Sequence, residues 1–176
     1  MEVLVTIMAE PKTPNPAFTK EVIDAGADTL NLCFQCGTCT GSCPSGRLTA
    51  FRVRKGLRRA QLGFKEDILP TDDLWYCTTC YTCHERCPRG VEIPDILFVL
   101  RNMAVKEGHM GETHKKGAGY LIKTGHLVPL SKEYREKRKE VGLEETPPTT
   151  LANKKALEEV QKLVKKTGFD KLIGGE

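Results

Sequence analysis

Two short segments hold all eight cysteines of this 176-residue chain: CFQCGTCTGSCP at residues 33–44 and CTTCYTCHERCP at residues 77–88. Each is a comb of the form C-x2-C-x2-C-x3-C-P, so Cys33, Cys36, Cys39 and Cys43 have counterparts in Cys77, Cys80, Cys83 and Cys87. The first comb is too rich in Gly, Thr and Ser for regular structure, and its thiols are spaced to wrap around something. Two intervening residues let the backbone fold round, so that three thiolates reach three corners of one [4Fe–4S] cubane while the fourth points away. Pro44 and Pro88 then turn the chain off the cluster and have no amide hydrogen to direct at sulfur.

In two-cluster ferredoxins the fourth cysteine of such a run ligates the other cluster. The expected assignment is therefore crossed. Cys33, Cys36, Cys39 and Cys87 hold one [4Fe–4S] cluster, and Cys77, Cys80, Cys83 and Cys43 hold the other. Zinc also uses paired C-x2-C motifs and would make the chain a metal-stabilised interaction module, but its ligands usually come as two knuckles split by a longer loop. Eight cysteines saturate two four-iron clusters and leave no iron open to a substrate. No nucleotide-binding glycine loop, Ser/His or His/Asp constellation stands elsewhere, so no catalytic residue is expected on this chain. Two fully ligated clusters side by side make an electron relay, tuned by hydrogen bonds, charge and burial. Trp75, Tyr76 and Tyr81 flank the second comb and are expected to shield a cluster from water, while His84 is expected as a loop residue outside the ligand set.

The formal charge of +4 counts every cysteine as neutral. Two oxidised clusters with their thiolates add roughly −4 and would balance it. Aromatic residues are few and are not interleaved with the basic ones, which argues against nucleic acid as a partner. The most apolar stretch, residues 93–100, contains Pro94 and Asp95 and is far too short to span a membrane. MEVLVTIMAEPKTP has neither a basic opening nor a small-residue cleavage site, so the expected location is the cytoplasm, where disulfides are disfavoured.

Along the chain, residues 1–28 read as an N-terminal arm, with VLVTI as a short strand and a helix from near Pro16 to Gly26. Arg47 to Leu62 predicts one helix with Ala50, Val53, Leu57 and Ala60 on its apolar side and Gly63 as its stop. Ile93, Ile96, Leu97, Leu100, Met103 and Ala104 stripe the clearest helix, with Lys106 in its last turn and Gly108 beyond. Cysteine loop then helix is thus used twice, and the fold class is mainly α. Residues 108–130 are expected to be irregular because Gly111, Gly117, Gly119 and Gly125 break any period. A solvated helix from Ser131, a TPPTT linker and a final helix striped by Ala156, Leu157, Val160, Leu163 and Val164 complete a tail too thinly apolar to stand alone.

Thirty-three residues including a helix separate Cys43 from Cys77, far more than in small bacterial ferredoxins. That arrangement resembles the α-helical ferredoxin, with two [4Fe–4S] clusters between helices, over residues 29–107; the arm 1–28 and an extension 108–176, expected to dock a partner, lie outside it. Within it, CFQCGTCTGSCPSGR and WYCTTCYTCHERCPRGVEIPDI are similar to the iron–sulfur C subunits of the heterodisulfide reductases of methanogenic archaea. The resemblance implies an electron relay standing between two larger partners. One is a flavin- and iron–sulfur-containing subunit, and the other is the catalytic subunit that reduces the coenzyme M–coenzyme B disulfide. It also implies an associated hydrogenase or formate dehydrogenase as a further partner. The chain has no adjacent cysteine pair of the kind the catalytic subunit uses. The alternative function keeps the fold and places it as a relay in another dehydrogenase or sulfur-metabolism complex.

Overall fold

A computed structural model describes residues 12–173, which form eleven α-helices and two 3₁₀ turns with no strand among the described residues. The VLVTI strand expected from the sequence lies outside them. The chain divides into two compact units, residues 1–104 and 105–176.

The first unit opens with α1 (Pro16–Asp24). Asn15 caps it, its Oδ1 accepting from Ala17 N at 3.1 Å and Phe18 N at 3.4 Å, with Pro16 already fixed for the first turn. The arm's helix is part of the core: Phe18 and Val22 are buried, and α1 packs on α4 (Val53–Leu62). Before α4 come α2 (Thr38–Ser42) and α3 (Pro44–Leu48), and after it α5 (Lys65–Ile68). Gly63 ends α4 at φ 71°, and the Asn15 carbonyl oxygen sits 1.8 Å from where a side-chain carbon would be, so glycine is required there twice over.

The single helix expected over Arg47 to Leu62 is broken. The chain leaves the helix at Thr49 and re-enters at Val53, Ala50 is exposed, and Phe51 takes a core position instead. Arg52 stitches this corner, its Nη1 donating to the carbonyls of Gly46, Thr49 and Phe51 at 2.9 Å each. Beyond the short α6 (Thr82–Glu85), α7 (Ile93–Lys106) follows the expected stripe, burying Ile93, Ile96, Leu97, Leu100 and Ala104, with Met103 partly buried. These side chains join Leu30, Leu57, Ile68, Leu69 and Leu74 in one core that also buries Cys39 and Cys43. At about 1.5–3 kcal/mol for each fully buried aliphatic side chain, that core holds both combs in place.

In the second unit the stretch expected to be irregular instead forms α8 (Glu112–Thr124). Gly117 and Gly119 face open space, so they weaken the helix without removing any packing. Ala118 between them is buried. Ser131 caps α9 (Lys132–Glu140), which is solvated as expected, and Asn153 caps α10 (Lys154–Thr167), which Gly168 ends at φ 71°. α11 (Phe169–Leu172) follows. Gln161 on α10 donates to the Ile122 carbonyl of α8 at 3.2 Å, and Thr150 Oγ1 donates to the Gly125 carbonyl at 2.8 Å. Among the described residues no helix is long and apolar enough to cross a membrane.

Candidate metal centres

The two combs share one backbone form. Each begins at the end of a 3₁₀ turn: Leu30–Leu32 leads to Cys33, and Asp72–Tyr76 leads to Cys77. Two residues on, Gln35 and Thr79 are left-handed (φ 66° and 53°), and just past the second cysteine Gly37 and Tyr81 are too (φ 89° and 61°). Gln35, Thr79 and Tyr81 are the non-glycine residues with positive φ among those described. Each costs on the order of 1–2 kcal/mol, a strain that collects where function fixes the chain. The reversals swing the second thiol outward and start the turns α2 and α6, which pack against each other and carry Cys39 and Cys83. The first comb is therefore not wholly irregular, since Thr38–Ser42 within it is helical.

This packing opens two small hollows. The first is lined by Cys33, Cys36, Cys39 and Cys87. The second is lined by Cys43, Cys77, Cys80 and Cys83. Each takes three thiols from one comb and one from the other, which are the two sets expected from the sequence. All eight cysteines are free of disulfides. An all-thiol donor set spread around a hollow fits a [4Fe–4S] cluster.

Apolar walls and hydrogen-bond donors complete each cage. Phe34 and Leu57 line the first hollow; Phe51, Val53 and Leu97 line the second. Gly46 N donates to Cys43 Sγ at 3.3 Å, Val91 N to Cys87 Sγ at 3.4 Å and Thr79 N to Cys77 Sγ at 3.5 Å. Cys36 and Cys80, both exposed, lie 3.4 and 3.5 Å from the hydroxyls of Thr38 and Thr82. Those hydroxyls lower the two thiols below their ordinary value. Burial raises Cys39 and Cys77, and pushes Cys83 up to about 12 with help from the neighbouring thiols of Cys77 and Cys39. Metal binding to such thiols must expel their protons.

One sulfur has a longer support. Gln61 Nε2 donates to the carbonyls of Leu30 (3.1 Å) and Cys33 (2.8 Å), which fixes which end of its amide is nitrogen. Gln61 Oε1 must then accept, and it does so from Gln35 Nε2 at 3.1 Å. The same Gln35 nitrogen donates to Cys33 Sγ at 3.4 Å. In the second comb the matching Thr79 turns its hydroxyl to the Thr78 carbonyl instead. Arg101 braces that comb from α7, donating to the carbonyls of Leu74 (2.8 Å) and Cys77 (2.5 Å) while covering the Trp75 ring.

Of the aromatic residues flanking the second comb, Tyr81 lines a hollow; Trp75 packs under Arg101 and Tyr76 is largely exposed. His84 lines neither hollow, and its Nδ1 donates to the Val91 carbonyl at 3.3 Å. Gln61 and Arg101 escape sequence reasoning because their partners lie far along the chain, and Gln35 because the distant Gln61 orients it. Thr38 and Thr82 were within reach, since aligning the combs puts a threonine before the third cysteine in both.

Residues 29–91 match the 4Fe–4S dicluster domain family, so the chain carries two [4Fe–4S] clusters. It is 54% identical to the iron–sulfur C subunit of the CoB–CoM heterodisulfide reductase of Methanopyrus kandleri, across 90% of this chain and 81% of that protein. It is 55% identical to the C subunit of the H(2):CoB-CoM heterodisulfide,ferredoxin reductase of Methanothermobacter marburgensis, across 89% and 85%. Identity is 47% with the C subunit of the Ferredoxin:CoB-CoM heterodisulfide reductase of Methanosarcina mazei, across 84% and 91%.

Proposed function

The chain belongs to the iron–sulfur C-subunit family of the heterodisulfide reductases, and we propose that it is the electron relay of such a complex in methanogenesis. It passes electrons from a flavin- and iron–sulfur-containing subunit to the catalytic subunit that reduces the CoM-S-S-CoB heterodisulfide. The observation that carries this reading is the pair of adjoining hollows, each walled by four thiols and apolar side chains. A [4Fe–4S] cluster held by four thiolates takes up and returns one electron with no open site for a substrate. The eight cysteines are the ligands, in the crossed sets Cys33, Cys36, Cys39, Cys87 and Cys77, Cys80, Cys83, Cys43. Around them the buried Leu57, Phe51 and Leu97 exclude water, and the donors on sulfur stabilise added negative charge. Eight unpaired cysteines suit a reducing compartment, and we place the complex in the cytoplasm. The relatives' names give hydrogen, formate or ferredoxin as electron source, and a hydrogenase or formate dehydrogenase is the corresponding further partner.

Anaerobic native purification tests the assignment. The chain should arrive with the flavin-containing and catalytic subunits in a complex that reduces the heterodisulfide; arrival with a different dehydrogenase would overturn it. Ligand sets are tested separately, by the electron paramagnetic resonance (EPR) of the two clusters. Cys36→Ser and Cys87→Ser should perturb the same cluster, and perturbation of different clusters would sink the crossed assignment.

A further inference from the structure

Helix α4 carries cations where its own electrostatics oppose them. Arg54 and Lys55 stand in its first turn, which holds no acidic residue, so they face the positive end of the helix dipole. Arg54 and Arg58 repel each other at i, i+4. Arg54, Lys55 and Arg58 are all exposed, and among the described residues none has a carboxylate partner; the neighbouring acids are engaged elsewhere, Asp73 with Arg59 and Asp67 with Lys12. The three cations line an open recess with Gln35, Leu62 and Phe64, and with Arg59 and Asp67, whose charges are paired with Asp73 and Lys12.

The cluster's own negative charge does not account for all three. Arg54 lines both the recess and the first hollow, whereas Lys55 and Arg58 line the recess alone. An arrangement that costs the isolated helix stability fits a surface whose anion arrives from outside. The recess combines unpaired cations with apolar Leu62 and Phe64, which matches carboxylates set among apolar side chains. Among the described residues the only aromatic lining it is Phe64, so they offer no stacked platform for bases. Gln35 and Arg54 line the recess on one side and the thiol cage on the other.

We propose that this recess docks an acidic segment of a partner protein in the complex, and that the cluster held by Cys33, Cys36, Cys39 and Cys87 exchanges electrons across that face. The proposal rests on the relay reading above and adds the surface and the cluster that serve it. Complementary charge at this face speeds and orients the encounter.

The test uses the intact, cluster-loaded complex under anaerobic conditions. A carbodiimide, which joins an amine to a carboxylate in direct contact, should link Lys55 to an Asp or Glu of a partner protein, read by peptide mapping. In parallel, Lys55→Glu with Arg58→Glu should weaken reassembly with the partners at least tenfold at low salt and flatten its salt dependence. EPR signals of the isolated variant should stay unchanged; if they move, Lys55→Gln with Arg58→Gln, which removes charge without reversing it, decides in the same assay. Lys55 left unlinked, or linked only to its own chain's Glu2 or Glu10, would overturn the proposal, as would unchanged reassembly. A complex that reduces the heterodisulfide with Lys55 unlinked overturns the docking face alone; a complex with no such activity overturns the relay reading.

Discussion

Replacing Gln35 with Met removes the amide donor from Cys33 Sγ while keeping side-chain length and flexibility. The bond is a 3.4 Å contact from a nitrogen whose orientation is dictated by Gln61 and, through it, by two backbone carbonyls. A reduced cluster places more negative charge on its sulfurs, so the donor favours the reduced form. A neutral hydrogen bond contributes about 0.5–1.5 kcal/mol net, and one to a charged acceptor about twice that. The difference between oxidation states is then on the order of 0.5–1 kcal/mol. With tenfold, or about 1.4 kcal/mol, corresponding to ~59 mV for one electron, the midpoint should fall by ~20–40 mV. Anaerobic redox titration followed by EPR reads it, and the second cluster in the same molecule is the internal reference. Gln61→Leu should move the first cluster in the same direction while also leaving the Leu30 and Cys33 carbonyls without their donor. An unchanged midpoint in Gln35→Met, or an equal shift of both clusters, would refute the reasoning.

Gly63→Ala should destabilise the cluster-loaded chain by about 3 kcal/mol, because it adds left-handed strain to a collision with the Asn15 backbone. Gly117→Ala, built into open space on α8, should be neutral or stabilising by up to about 1 kcal/mol, and thermal unfolding that ranks the two the other way would contradict the packing described. Iodoacetamide applied to cluster-free chain near neutral pH should label Cys36 and Cys80 first and Cys83 last. Lowered thiols keep their reactive thiolate as pH falls, whereas a thiol raised to about 12 stays protonated until strongly alkaline pH. Equal rates at all eight would mean that the cages do not persist without their clusters.

The cysteine spacing made the two clusters legible, because a thiol every third residue has few other uses, and the apolar stripes made the mainly helical class legible. The stripe of α7 was legible as a single period over fourteen residues, whereas that of α10 was legible only in part, since Val164 is buried but Leu163 is exposed. The corner at Thr49–Arg52 was not. Its apolar spacing runs on unbroken from Ala50 to Ala60, and the break is fixed by Arg52 donating to three carbonyls and by Phe51 filling the core. Helix α8 was hidden because sequence reasoning counts each glycine as a breaker, whereas Gly117 and Gly119 sit where no side chain would pack. Gln35 and Gln61 form a pair only after α4 is laid beside the first comb, and no local pattern announces a contact across 26 positions.

The exchange of one thiol between hollows has a consequence for how the chain matures. Neither cage is complete until both combs have been made and folded together, since the first hollow closes on Cys87 and the second on Cys43. A nascent chain that has emerged only as far as α5 can offer three thiols to the first hollow and a single one, Cys43, to the second. The closing of both hollows is thereby tied to the docking of α2 on α6, and the loss of either comb takes thiols from both at once. A chain wired this way readies both cages in a single folding event, each waiting on the last cysteine of the other comb.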